Sequence, residues 1–100
     1  MLITELLNIE LPIVQAPMAG VQDAVLAAAV SNAGGLGSLP CAALEPEGLE
    51  RELARLSDST CKPFNVNFFC HSPPQVGENE QRAWLRDLAS YYRELDLEPP

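Results

Sequence analysis

Positive charge is scarce in this chain of 100 residues: 6 Lys and Arg stand against 14 Asp and Glu, a formal net charge of -8. That balance weighs against nucleic acid or an anionic membrane surface as a partner. Histidine occurs once, as His71, and the three cysteines, Cys41, Cys61 and Cys70, are odd in number and lack metal-ligand spacing. They are therefore expected to be free thiols rather than a disulfide framework or a zinc site, with Cys61 and Cys70 acting as small apolar filler. The longest uncharged apolar run, residues 24–30, is far short of the roughly 20 residues a membrane span needs. No cationic stretch precedes an apolar one near the N-terminus, so no targeting segment is expected. Repeats, low-complexity tracts, a Ser/His/Asp set and paired acids are likewise missing, so no residue is assigned a catalytic or a metal-binding role. The composition fits a soluble, cytoplasmic globular protein.

The residues that are present alternate between strand and helix signals. Residues 13–16 are too few for a helix, carry β-branched side chains and lie between Pro12 and Pro17, which predicts a buried strand. Pro17 ends it, and Gly20 permits a shaped loop closed to residues with a Cβ. Asp23 is a plausible N-cap for an Ala-rich helix that Gly34 and Gly35 stop. A second strand is expected over residues 36–39 and a second helix from Pro46, with Leu49, Leu53 and Leu56 on one face and Glu47 at ion-pair spacing from Arg51. A third strand starts at Phe64, Ser72-Pro73-Pro74 forms a loop, and a third helix runs from Glu80 with Leu85, Leu88, Ala89, Tyr92 and Leu95 at helical spacing. Trp84, Tyr91 and Tyr92 on that helix suit amphipathic packing better than ring stacking. Gly34, Gly35 and Gly37 resemble a phosphate loop, yet they end a helix rather than begin one, so helix termination is the better account.

In the third strand, alternation sends Phe64, Val66 and Phe68 to one face and Asn65 and Asn67 to the other. A strand alternating with helices belongs to a parallel sheet covered on both sides, so the two carboxamides must find partners inside. Those partners are either neighbouring strands or a ligand.

Three separated blocks resemble one family. Gln15-Ala16-Pro17-Met18-Ala19-Gly20, then Leu26 to Leu39 with its Ser31-Asn32-Ala33-Gly34-Gly35-Leu36-Gly37 core, then Lys62-Pro63-Phe64-Asn65-Val66-Asn67-Phe68-Phe69, are similar in order and spacing to the N-terminal part of nitronate monooxygenase. The resemblance implies an FMN-dependent (β/α)8 barrel that oxidises alkyl nitronates, or nitroalkanes after proton removal, with O2. It implies that Ala16, Pro17 and Met18 run along the flavin ring and that Asn67 contacts FMN. It also implies a catalytic His and FMN-phosphate loops later in sequence than this chain reaches, so His71 is expected to be a loop residue at the pocket's edge.

A (β/α)8 barrel needs about 250 residues, so the expected fold is α/β: the first three β/α units of a TIM-type barrel, incomplete in this chain and completed by the remainder of the barrel. A self-sufficient three-unit domain is the alternative, disfavoured because it leaves open strand edges. Two other flavin barrels compete. Dihydrouridine synthases share the Ala16 to Val21 turn followed by Asp23, but the acidic charge is wrong for tRNA and residues 27–39 do not follow that family. Enoyl reductases of fatty-acid synthesis usually have Gly where Ala16 and Pro17 stand. A non-catalytic fragment or assembly partner is the reading outside enzymology.

Overall fold

Eight consecutive residues, 34–41, are buried, and the rest of the N-terminal unit is arranged around them. The computed structural model describes residues 1–100, which divide into two compact units, Met1–Cys70 and His71–Pro100.

In the first unit, helix α1 (Ile3–Leu7) is followed by α2 (Ala24–Asn32), strand β1 (Gly37–Pro40), helix α3 (Pro46–Ser59) and strand β2 (Phe64–Asn67). The two strands pair in parallel, Gly37 opposite Phe64 through Pro40 opposite Asn67. Helix α1, outside the elements expected from the sequence, is a single short helix with no buried residue, closed by Asn8 in the left-handed conformation.

The helices obey their sequence signals. The Asp23 carboxylate accepts from the Val25 amide at 2.9 Å, satisfying one of the orphan donors of the α2 N-terminus. Gly34, at φ 96°, turns the chain out of α2. Pro46 occupies the first turn of α3, where its missing N–H costs nothing. The expected apolar face of α3 is the one that packs: Leu56 is fully buried with Ala24, Ala27, Ala28, Leu39 and Cys41, and Leu49, Leu53 and Phe64 lie against that cluster. The alanines let α2 approach β1 so closely that a Cβ at Gly37 would overlap the Ala27 carbonyl. Only glycine fits there.

Three polar side chains bolt these layers together. The buried Ser31 hydroxyl donates to the Pro63 carbonyl at 2.8 Å and accepts from the Gly37 amide at 3.0 Å, joining α2 to the starts of both strands. Glu52 of α3 accepts from the Ala24 amide at 2.9 Å, and Arg55 reaches Asp23 at 3.1 Å. The expected Glu47–Arg51 pair does not form; Arg55 is the α3 cation that pairs, because it faces the α2 N-terminus as well as Glu52.

The first strand departs most from expectation. Residues 13–16 contribute a single parallel bridge, Val14 opposite Leu36, and Ile13 and Val14 are exposed rather than buried. The third strand ends at Asn67, leaving Phe68 and Phe69 exposed. Cys61 and Cys70 are exposed too, in the loops flanking β2, so they fill no core; all three cysteines are free.

The second unit is built on helix α4 (Glu78–Glu94), which begins two residues before the expected Glu80 and contains no buried residue. Its apolar face, Leu85, Leu88, Ala89 and Tyr92, is half-buried, while Trp84, Tyr91 and Leu95 are exposed. Residues 71–77, with Pro73 and Pro74, form an extended loop.

Candidate functional site

Parallel strands present all their C-terminal ends on one side of a sheet, and that side is where α/β folds bind ligands. Here it gathers the turn after the Val14 bridge, the end of β1 and the end of β2. Ala16, Pro17 and Met18 therefore lie at the same end of the sheet as Asn67, which is opposite Pro40.

The two asparagines of β2 differ. The Asn65 carboxamide donates to the buried Ser38 hydroxyl at 3.1 Å, a cross-strand bond between register partners. Asn67 uses its backbone carbonyl to accept from the Cys41 amide at 2.9 Å, but its half-buried carboxamide has no hydrogen-bond partner within the chain. A half-buried amide with its donors and acceptor unused is suited to a ligand that both donates and accepts.

The turn is equally open. Ala16 makes no hydrogen bond through its amide or carbonyl, and Pro17 has no amide hydrogen to offer. Met18 is 42% exposed, so an apolar side chain is available to a planar ring. The backbone of Met18 is held: its amide donates to the Gln22 side-chain oxygen at 2.9 Å and its carbonyl accepts from Val21 at 3.3 Å. Gly20, at φ 81°, closes this turn in a conformation that side chains rarely adopt.

Cys41 is the one buried thiol. Burial pushes its pKa up, more than the backbone hydrogen bond with Asn67 pulls it down, and its Sγ lies 3.4 Å from the Leu39 carbonyl. A protonated, enclosed thiol is not a nucleophile. His71 stands in the exposed loop of the second unit.

A hollow of about 250 Å³ opens at the opposite ends of the strands, among Glu10, Ser31, Gly35, Lys62 and Pro63. It contains none of the expected site residues and is flanked by the Glu10–Lys62 ion pair, so it belongs to the stabilising side of the sheet.

Gln15, Gln22 and Ser38 were not singled out from the sequence, yet they form the best-connected polar group beside the turn. A signal existed: two glutamines flank a proline that interrupts a strand, and such a strand needs substitute donors.

Comparison with known proteins adds the context. The family model for nitronate monooxygenase matches residues 1–97. Nitronate monooxygenase of Pseudomonas aeruginosa is 52% identical over 100 residues, spanning 97% of this chain and 28% of that protein. The crystal structure of nitroalkane oxidase from Streptomyces ansochromogenes superposes with a TM-score of 0.72 at 40% identity, covering 94% of this chain and 27% of that one. FabK from Thermotoga maritima gives a TM-score of 0.66 at 38% identity over 95% and 27%. The chain thus spans little more than a quarter of the length of the relatives it matches. With nearly its whole length matched by the family model and half its residues shared with a curated member, the chain belongs to the nitronate monooxygenase family.

Proposed function

We propose that these residues are the N-terminal segment of a single FMN-binding (β/α)8 barrel domain that oxidises alkyl nitronates with O2 to carbonyl compounds and nitrite. The observation that carries this reading is the convergence at one end of the sheet of the Ala16-Pro17-Met18 turn and the Asn67 carboxamide, both with polar groups that no residue of the chain satisfies. Family membership and the likeness to nitroalkane oxidase support it.

These residues fit a flavin. Ala16 would offer an amide and a carbonyl to the polar edge of the ring, Pro17 a rigid surface without a competing donor, Met18 apolar cover, and Asn67 a carboxamide that donates and accepts. FMN, when bound, supplies the electron acceptance and the reaction with O2; the protein positions it and tunes it. The chain's own contribution at this end of the sheet is binding and orientation. Its unpaired thiols suit a reducing compartment such as the cytoplasm.

The likeness to FabK favours one second reading, a flavin-dependent enoyl reductase. The intact protein separates them. Purified, it is expected to carry FMN and to release nitrite from propyl-2-nitronate while consuming O2. A colourless protein that gains no flavin on reconstitution overturns the cofactor assignment, and a yellow one that spares nitronates but reduces an enoyl thioester with NADH replaces the reaction. The 100-residue chain alone is expected to hold no stoichiometric FMN, because the family's phosphate loops lie outside it.

A further inference from the structure

The way residues 13–18 leave the sheet is unusual in its chemistry. In a parallel ladder, alternate residues of one strand donate and accept toward the same neighbour. Leu36 does so with the first segment: its amide donates to the Ile13 carbonyl and its carbonyl accepts from the Gln15 amide, each at 2.9 Å. Continuing that register would place Ser38 opposite Ala16, with the Ser38 amide donating to the Gln15 carbonyl and the Ser38 carbonyl accepting from residue 17. Residue 17 is proline and has no hydrogen to give. The ladder must stop, and the buried Ser38 would be left with an unpaired edge, which is costly.

Two side chains fill the gap. The Ser38 amide donates to Gln15 Oε1 at 3.1 Å, and Gln22 Nε2 donates to the Ser38 carbonyl at 2.8 Å. Gln15 Nε2 then donates to Gln22 Oε1 at 2.7 Å, and the same oxygen accepts from the Met18 amide at 2.9 Å. Every member fixes the next. Ser38 and Met18 amides can only donate, so each must face a carboxamide oxygen, and the two nitrogens are left pointing at the acceptors they reach. The strand's missing backbone is thus replaced by a pair of amides that also grip the turn.

We propose that Gln15 and Gln22 are positioning residues, an amide clamp that substitutes for the proline-interrupted strand and holds the Ala16-Pro17-Met18 turn in the geometry that meets the flavin. The inference rests on the FMN reading for the identity of what the turn meets, and on the hydrogen bonds alone for the clamp. Because the turn has no sheet partner of its own, its position depends on Gln22 Oε1 more than on the core beneath it.

The test uses the intact protein. Gln22→Leu is expected to weaken FMN binding roughly tenfold or more, as loss of a coupled set of buried-edge hydrogen bonds implies, to change the visible circular dichroism of the bound flavin, and to speed hydrogen exchange at the Met18 amide. Gln22→Glu adds a readout that mere structural damage would not give. At pH 8 its carboxylate faces the Ser38 carbonyl and should reproduce the loss; at about pH 4, where an ordinary glutamic acid is largely protonated, the acid donates again and FMN affinity should recover. If Gln22→Leu does not fold, Gln22→Glu carries the test alone through that pH reversal. An intact protein that binds FMN equally tightly with either substitution, or that shows unchanged exchange at Met18, overturns the clamp. An intact wild-type protein that binds no FMN overturns the flavin reading and the positioning role with it, a result distinguishable because no substitution is involved.

Discussion

Helices α2 and α4 show how differently a sequence pattern can be used. Four of the nine residues of α2 are alanine, with little contrast between faces, yet Ala24, Ala27, Ala28 and Ser31 are buried. The 17 residues of α4 are sharply divided between apolar and charged faces, and none is buried. What decides the outcome is contact distance. Alanine has little surface to bury, but it lets a backbone come within touching distance of β1 at Gly37, where dispersion contacts are dense. Trp84 and Tyr91 have much surface to bury and remain 65% and 61% exposed. Amphipathicity marks the face that seeks a partner, whereas small residues at close approach mark one already found.

The largest effect that could break this contrast is in the core. Leu56→Ala in the 100-residue chain is expected to cost about 2–5 kcal/mol, the range for a buried leucine left as a cavity. Trp84→Ala, despite removing a larger side chain, is expected to stay within about 0.5 kcal/mol. Urea unfolding of the two variants compares them, and equal costs would show that α4 is as well supported as α2. In a longer protein that supplies further β/α units, the Trp84 substitution is expected to cost more.

Next in size is Ser31→Ala. The hydroxyl is fully buried and serves two backbone groups, the Gly37 amide and the Pro63 carbonyl, so its loss strands both and is expected to cost about 1–3 kcal/mol. Ser90→Ala on α4, which is exposed, should be close to neutral. Thermal unfolding of the pair tests whether polar bolts, and not only apolar contact, separate the two units.

A third prediction sharpens the contrast within β2. Asn67→Ala in the intact protein should weaken FMN binding more than Asn65→Ala, by about three- to tenfold, the worth of one hydrogen bond. Asn65→Ala should instead lower stability, because Asn65 is committed to Ser38. Equal losses of flavin affinity would mean that the free carboxamide carries no special role.

The starts of α2 and α3, the parallel pairing of β1 with β2 and the half-buried asparagines were legible because they depend on local chemistry: Asp23 as a cap, Pro46 in a first turn, alternation in residues 64–67. The first strand departs from its signal because β-branched residues between prolines report propensity and not hydrogen-bond supply. Pro17 ends the segment as its pattern predicts, but only one bridge forms before it, and the hydrogen bonds Ser38 lacks come from the Gln15 side chain and from Gln22, outside the strand window. Ser31 was hidden for a related reason: a serine within an Ala-rich helix looks neutral until the strand amide it serves is placed beside it. The family blocks pointed correctly to the relatives, since they combine such long-range constraints in one order and spacing.

The smallest effect expected lies at the far side of the sheet, where Lys62 Nζ sits 2.7 Å from Glu10 Oε1 with both side chains largely in solvent. The hydrogen bond from Lys62, and then its charge, hold the Glu10 carboxyl below its usual range. The same hydrogen bond and charge, from Glu10's side, raise the Lys62 ammonium. For Glu10, a folded pKa below the unfolded one means stability present above the ordinary carboxylate range and lost as pH falls through the lowered value. For Lys62, a raised pKa means stability present below the ordinary ammonium range and lost as pH rises through the raised value. The pair should therefore contribute on a plateau around neutral pH and fade at both ends. Lys62→Met is expected to lower stability slightly near pH 7 and to make no difference in strong acid, strong alkali or high salt, where the charges are neutralised or screened. In the second unit, Glu78 and Arg82 are 3.4 Å apart and more exposed, at 92% and 71%, so Arg82→Met should change less still. A larger effect at Arg82 than at Lys62 would reverse the ordering of the two units that their burial sets.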